Sequence, residues 1–455
     1  MENNIKTLYK LEVKLKTALH IGKGSDSSTN AAELLKDGNG DYFIPGTTIA
    51  GIFFDRLLDL KNGFDAEELF KKIQDRNENN DKETEASSLV FRSSYFKTKP
   101  IVKIRDRVKI DNERKVAVDG AKFSYWEIEP EDISFNINIE IDNLSKRNLD
   151  TEEYSKLENY VENIFASWKI EGFAIGAFSS SGNGWCELKK IEKFEVNKDN
   201  FDDYLEEEEN YKYTNITDKL KTSEKIYDTY NLTIKLGSKN NYGLDALLIA
   251  GGDSHTSIND NDVDDVFINT GTKVFIPGSS LKGAFGFFME KYGQENSFYS
   301  KWQKLLGQFS DENEDERKNE NKTMGAGNFL VEDLFLLETG KNKIKNHLLA
   351  IERHKEDEFT RAIYGSGKFN EERLFNSTFK GKIRIRITLA EDMTTHPASD
   401  TATPPKRGIT KKREGIKYDD IDELIDFLKQ GMEFNLISLG ANSAYPKFKL
   451  EKMGE

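Results

Sequence analysis

A short pattern occurs twice in this chain: Phe43-Ile44-Pro45-Gly46-Thr47-Thr48-Ile49-Ala50-Gly51-Ile52-Phe53 and Phe275-Ile276-Pro277-Gly278-Ser279-Ser280-Leu281-Lys282-Gly283-Ala284-Phe285. Each copy reads as an apolar strand end, a Pro-Gly turn, two small hydroxyl residues and an amphipathic helix. Pro followed by Gly is strong turn punctuation. A Ser or Thr after it is expected to cap the helix by accepting from its free N–H groups. Those same N–H groups, at the positive end of the helix dipole, suit an anion. Taken alone, each copy is a capped helix. Taken together, they indicate a duplicated supersecondary unit, and a repeat constrains the whole architecture.

The segments around the two copies follow one programme. In the first half, residues 7–19 alternate as a half-buried strand, residues 20–28 form a small-residue loop, and the Pro-Gly helix runs to Leu60. Ser88–Phe96 reads as a strand, and 101–111 with 120–127 as a projecting hairpin. Residues 133–141 form a core strand, 151–168 a helix, and 175–185 a Gly/Ser-rich loop. The second half repeats this order. It has a strand at 226–235, a loop at 249–254, a helix to Tyr292 and a strand at 329–335. A hairpin at 351–357 and 367–369, a strand at 379–389, a helix at 419–429 and a Gly loop at 439–443 follow. The interval from Arg107 to Lys122 equals that from Arg353 to Lys368.

The ordered correspondences predict two modules, 1–195 and 224–455, joined by an acidic, Asn-rich linker at 196–223. Strand-loop-strand-helix followed by later strands and a late helix predicts an α+β fold built on an antiparallel sheet with helices on one face. A ferredoxin-like, RRM-like sheet with an inserted hairpin in each half is the most economical fit.

Composition bounds what such modules do. The 455 residues fit two to three domains, and 30 Phe with 17 Tyr argue for real cores despite 32% charged residues. No apolar run is long enough to span a membrane, and the opening MENNIKTLYKLEVKLK is not a signal peptide. A single cysteine, Cys186, precludes an intramolecular disulfide and fits a reducing, cytoplasmic setting. The five histidines lack metal-ligand spacing. A net charge of −14 argues against nucleic-acid binding if read globally. The bases cluster, however, at Lys97–Lys109, Lys380–Arg386 and Lys406–Arg413, and local surface decides.

The two Pro-Gly-hydroxyl elements, the strands at Val90 and Val331, the basic hairpins ending in Lys122-Phe123 and Lys368-Phe369, and the closing Gly-rich loops resemble the RAMP superfamily of CRISPR-associated proteins. Within it, the set is most similar to the Csm/Cmr-type backbone subunits of type III effector complexes, here as a tandem fusion. The resemblance implies binding of crRNA and complementary target RNA, with other effector subunits as partners. It also implies cleavage of paired RNA by a loop aspartate ahead of the Pro-Gly turn, with Mg2+ or Mn2+ as cofactor. Counting back from the second turn lands on Asp262, close to Asp260. The same count in the first half lands on Thr29, and Asp26 is the nearest acid there. Thr47, Thr48, Ser279 and Ser280, with Lys282, suit phosphate oxygens. The loops carrying Ser180 and Asn442 allow close backbone approach. Arg105, Arg107, Lys122, Arg353 and Lys368 are candidates to line an RNA groove, although exposed Lys and Arg are the norm on any surface.

Three other readings compete with RNA-guided cleavage. The chain is a purely structural crRNA-binding subunit, a crRNA-processing endoribonuclease, or an acidic protein-binding scaffold. Four acids within 260–265 are equally a solvated loop.

Overall fold

The computed structural model describes residues 5–24, 31–60, 88–111, 118–143, 149–205, 211–220, 225–237, 247–252, 266–269, 273–295, 297–306, 327–338, 341–356, 363–387, 418–440 and 444–453. The chain divides into two compact units. The first comprises Met1–Arg107, Phe123–Ser179 and Asn183–Ile226, and the second Val108–Lys122, Ser180–Gly182 and Tyr227–Glu455.

In the first unit, β1 (Lys6–Leu15) lies between β5 (Ser134–Asp142) and β6 (Trp185–Val196), and β2 (Leu89–Phe91) pairs with the far side of β5. All these pairings are antiparallel, and the order β6-β1-β5-β2 is that of a ferredoxin-like sheet. The alternation that marked these strands sends Tyr9, Leu11, Val13, Ile137, Ile139 and Ile141 into one core. Helices α1 (Gly46–Asp59) and α2 (Thr151–Glu171) cover that face with Ile49, Phe53, Leu157, Val161, Phe165 and Trp168. A capping box, in which Asp150 and Glu153 bond each other's backbone N–H groups, starts α2. Gly172, at φ 77°, ends it. β3 (Val102–Arg107) and β4 (Phe123–Ile128) form the expected hairpin.

The second unit repeats the sheet. β7 (Tyr227–Lys235) lies between β11 (Thr378–Arg386) and β12 (Lys447–Lys452), and β8 (Phe329–Val331) pairs with β11. Helices α3 (Gly278–Tyr292) and α4 (Tyr418–Glu433) bury Leu281, Phe285, Phe288, Leu424 and Leu428 against Tyr230, Leu232, Ile234 and Ile383. The hairpin is β9 (Leu348–Glu356) with β10 (Ile363–Leu374), longer on both strands than the sequence pattern suggested.

The expected hydroxyl caps are not how the two Pro-Gly helices begin. The N-cap positions are Pro45 and Pro277, and neither helix has a side-chain cap bond. Proline has no N–H to donate, so it is tolerated at this boundary. The first helical N–H is instead taken from across the fold. Gly46 N–H donates to Ser93 Oγ (3.2 Å) and Gly278 N–H to Asp333 Oδ1 (2.8 Å). The strand read as Ser88–Phe96 breaks after Phe91, at the point where this glycine packs. A Cβ on Gly46 would lie 2.1 Å from the Phe91 carbonyl oxygen, and one on Gly278 would lie 2.1 Å from that of Val331.

Within 196–223, Phe201–Leu205 is a short helix. Tyr204, Tyr211 and Tyr213 group with Phe194 of β6, the Phe194 and Tyr211 rings stacking at 5.0 Å.

Candidate nucleic-acid interface

The hairpin β3/β4 presents a face made by residues directly opposite one another in the ladder: Arg105 with Tyr125, and Arg107 with Phe123. Its two arginines have different fates. Arg105 is buried and pairs with Glu127, also buried, at 3.5 Å. Glu127 accepts a second bond from Asn183 Nδ2 (3.3 Å). Arg107 is half-buried. Its guanidinium sits 5.1 Å from the Tyr125 ring centroid and 4.7 Å from that of Phe178, and it donates to Asn183 Oδ1 (3.5 Å). Such placement over two ring faces is favourable cation–π geometry.

Around this arginine the aromatic rings form a continuous set. Tyr125 and Phe178 lie 4.5 Å apart, and Phe123 stacks on Tyr125 at 6.3 Å. His20 meets Tyr125 edge-on at 5.4 Å and donates through Nδ1 to the Trp126 carbonyl (2.5 Å). Burial pushes the Tyr125 phenol up to about 12, against the opposing pull of Arg105 and Arg107. It is therefore a neutral ring at physiological pH. Phe123, by contrast, is 46% exposed. An exposed aromatic backed by a stacked ring and a neighbouring guanidinium is the arrangement on which an unstacked base settles in single-strand binding proteins.

The Gly-rich loop supplies the other wall. Gly176, Phe178, Gly182 and Gly184 all have positive φ. At Gly184 both conformation and space demand glycine, because a Cβ would lie 1.8 Å from the Ile175 carbonyl oxygen. The tight path turns Phe178, a non-glycine at φ 61°, onto Tyr125 and Arg107.

The second unit repeats the register of this hairpin, with Glu371 at the place of Tyr125. Arg353 is directly opposite Phe369, as Arg107 is opposite Phe123. Leu247 and Leu374 exchange backbone bonds, as Leu19 and Ile128 do. Gly440, at φ 75°, sits against the Leu248 carbonyl as Gly176 sits against that of His20. A buried ion pair recurs too, but both its members, Glu371 and Arg373, lie on β10. In the first unit the pair spans the two strands.

The structure brings Arg105, Arg107 and the start of β4 next to Lys122 together in one hairpin foot, and likewise Arg353 with Lys368 in the other. Arg105 is internal to that foot, while Lys122 is exposed beside Phe123. Thr47 is exposed and Thr48, Ser279 and Ser280 are half-buried, all in the first helical turn. Thr48 and Ser280 N–H groups turn back to the proline carbonyls at 3.0 Å. Lys282 donates to the Phe329 carbonyl (3.4 Å). Ser180 lies in the short 3-10 turn Ser179–Ser181. Asp26, Asp260, Asp262 and Asn442 lie outside the described residues. Among the described residues, no group of three or more His, Cys, Asp or Glu is placed to hold a metal ion.

Tyr125, Phe178, His20 and Asn183 were not singled out from sequence. The available signal was the pairing of an aromatic-rich run, Phe123-Ser124-Tyr125-Trp126, with a phenylalanine inside a Gly/Ser loop. An aromatic held among glycines is exposed to a neighbour by necessity.

The sequence model of the RAMP superfamily matches residues 12–187 and 242–449, from within β1 to within β6 and from after β7 to within β12. No curated protein sequence matches the chain. Among solved structures, a chain from the type III-B Cmr-beta bound to cognate target RNA is similar at 19% identity and a TM-score of 0.30. The match covers 42% of this chain and 61% of that one, so the chain spans about three-fifths of its length. No helix among the described residues is long and apolar enough to cross a membrane.

Proposed function

The chain belongs to the RAMP superfamily, and on that premise we propose that it is a backbone subunit of a type III CRISPR RNA-guided effector complex. It holds crRNA, and the target RNA paired with it, among other effector subunits. One observation carries the reading: both units build a hairpin of the same register, with an arginine directly opposite a phenylalanine. An exposed Phe123 backed by Arg107 offers stacking and charge without base selectivity, as a guide of variable sequence requires. The first turns of α1 and α3 offer the hydroxyls of Thr47, Thr48, Ser279 and Ser280 to phosphate oxygens.

Cleavage of the paired RNA is the finer part of the proposal. Asp262, with Asp260 beside it in sequence, is the residue we assign to it, and Asp26 is its counterpart in the first unit. A carboxylate there orients the 2′-hydroxyl for attack on the adjacent phosphate and leaves a 2′,3′-cyclic phosphate and a 5′-hydroxyl. Asp262 would also hold the Mg2+ or Mn2+ ion, which would supply charge neutralisation at the phosphate. The test is the assembled complex with guide-matched RNA and Asp262→Ala. The expected result is loss of the cut assigned to the second unit, with RNA binding retained. If every cut persists when Asp26→Ala is added, the chain is a non-cleaving crRNA-binding subunit.

A further inference from the structure

Of the basic clusters in the sequence, the one at Lys380–Arg386 has no part in the hairpin feet. Its alternation, Lys-Gly-Lys-Ile-Arg-Ile-Arg, places Ile383 and Ile385 in the core of the second unit. Lys380 and Lys382 therefore lie on the opposite face of the sheet, at the end away from Arg384 and Arg386, which are buried there, Arg384 against Glu332. Cross-strand register extends this face. Lys235 is directly opposite both Thr378 and Lys447, Thr233 is opposite both Lys380 and Lys449, and Asn231 is opposite both Lys382 and Glu451. Directly opposed residues share a face, with neighbouring strands about 4.8 Å apart and alternate residues roughly 6.8 Å apart along each strand. The result is two lysine columns flanking a polar column of Lys235, Thr233 and Asn231.

These lysines are available. Lys235, Lys380, Lys447 and Lys449 are exposed and Lys382 is half-buried. Lys449 pairs with Glu451 (2.6 Å). Lys235, Lys380, Lys382 and Lys447 have no counter-ion among the described residues. The same face of the first unit is built differently. There Lys10 is opposite Glu192, Glu12 opposite Lys190, and Lys14 opposite Glu187. Glu12 is bonded by Lys97 (2.6 Å), and Lys190 bonds Glu192 (2.7 Å). One face is neutralised within itself and its duplicate is left with an excess of cations. Like charges opposed across a sheet destabilise it, so an uncompensated array needs an external anion to be favourable.

We infer that the lysine-bearing end of this sheet face, at Lys235, Lys380, Lys382 and Lys447, is a phosphate-binding surface for an RNA strand, separate from the hairpin foot. It extends the proposed function and rests on that reading only in taking RNA as the chain's ligand. Lysine meets phosphate as a point charge without fixed geometry, so this face grips the backbone in any sequence. It is a second, purely electrostatic contact, and among the described residues only the second unit provides it.

Binding of the full chain to a labelled oligouridylate, titrated with NaCl, tests it. Each lysine–phosphate contact to a single strand contributes about 0.7 to the slope of log affinity against log salt. The fourfold variant Lys235→Gln, Lys380→Gln, Lys382→Gln, Lys447→Gln is expected to lower that slope by roughly 3, equally on an oligoadenylate. The control exchange Lys14→Gln, Lys189→Gln on the first unit leaves it unchanged. An unchanged slope in the fourfold variant overturns the inference. An unchanged slope with loss of another effector subunit overturns it in favour of an acidic protein partner. If Phe123→Ala weakens binding while the fourfold variant does not, the proposed function stands and this inference falls. If the wild-type chain retains no RNA, both fall.

Discussion

Arg56→Ala is expected to lower the stability of the first unit by about 3–5 kcal/mol, the cost of leaving a buried charge without its partner. Arg56 is 4% exposed. It projects from the last turn of α1, donates to Ser167 Oγ (2.5 Å) and Glu171 Oε2 (3.3 Å) from one nitrogen, and to the Gly172 carbonyl (3.0 Å) from the other. Glu171 also accepts from Ile226 N–H (2.8 Å). The network ties the helix that follows the Pro-Gly turn to the end of α2. Removing the guanidinium strands a buried carboxylate, a hydroxyl and a carbonyl together. The paired replacement Arg56→Met, Glu171→Leu is expected to cost less than Arg56→Ala, because it removes the orphaned charge and retains volume. Urea unfolding followed by tryptophan fluorescence measures both. A loss under about 1 kcal/mol for Arg56→Ala, the value of an exposed pair, contradicts this view of the site.

The second large effect lies at the turn itself. In Gly278→Ala, the new Cβ would lie 2.1 Å from the Val331 carbonyl oxygen and 3.0 Å from the Glu332 carbonyl carbon, all backbone atoms held in or next to the sheet. The helix start must retreat, and with it the bond from Gly278 N–H to Asp333 (2.8 Å). Overpacking of this kind costs about 1–3 kcal/mol, and a lost charge-assisted bond adds roughly 1.5–3 kcal/mol. The expected total is roughly 3 kcal/mol or more, and Gly46→Ala, with the same clash against Phe91 but only a neutral acceptor in Ser93, costs less. Gly283→Ala in the same helix is the control. A Cβ there meets nothing within 4 Å, and replacing an exposed helical glycine gains up to about 1 kcal/mol. If the two substitutions in α3 behave alike, the close approach at Gly278 is not what fixes the turn.

Much of the fold was legible because duplication doubled every signal. The alternations at 7–19 and 133–141 located the central strands of the first sheet, and the equal Arg–Lys intervals anticipated hairpins whose registers match residue for residue. What a linear pattern cannot carry is partnership across the fold. Thr47 and Ser279 looked like caps because they follow the turn, yet the N–H groups at issue find Ser93 and Asp333 on the neighbouring strand turn. Arg105 looked like an RNA contact because it sits in a basic run, yet Glu127, itself bonded by Asn183, draws it inward. The basic alternation at Lys380–Arg386 was visible, but its meaning required the strands on either side. The stacking of Tyr125 and Phe178 beside Phe123 was not legible because two of these rings lie on a hairpin strand and the third on a loop about fifty residues later.

The central claim is that each unit holds RNA at its own hairpin foot. Footprinting of crRNA on the assembled complex, with the wild-type chain and with Phe123→Ala and Phe369→Ala separately, tests it most directly. The account predicts two separated protected patches along the strand, one lost with each substitution. A guide with no protection from this chain, or one whose protection is indifferent to both substitutions, would contradict it.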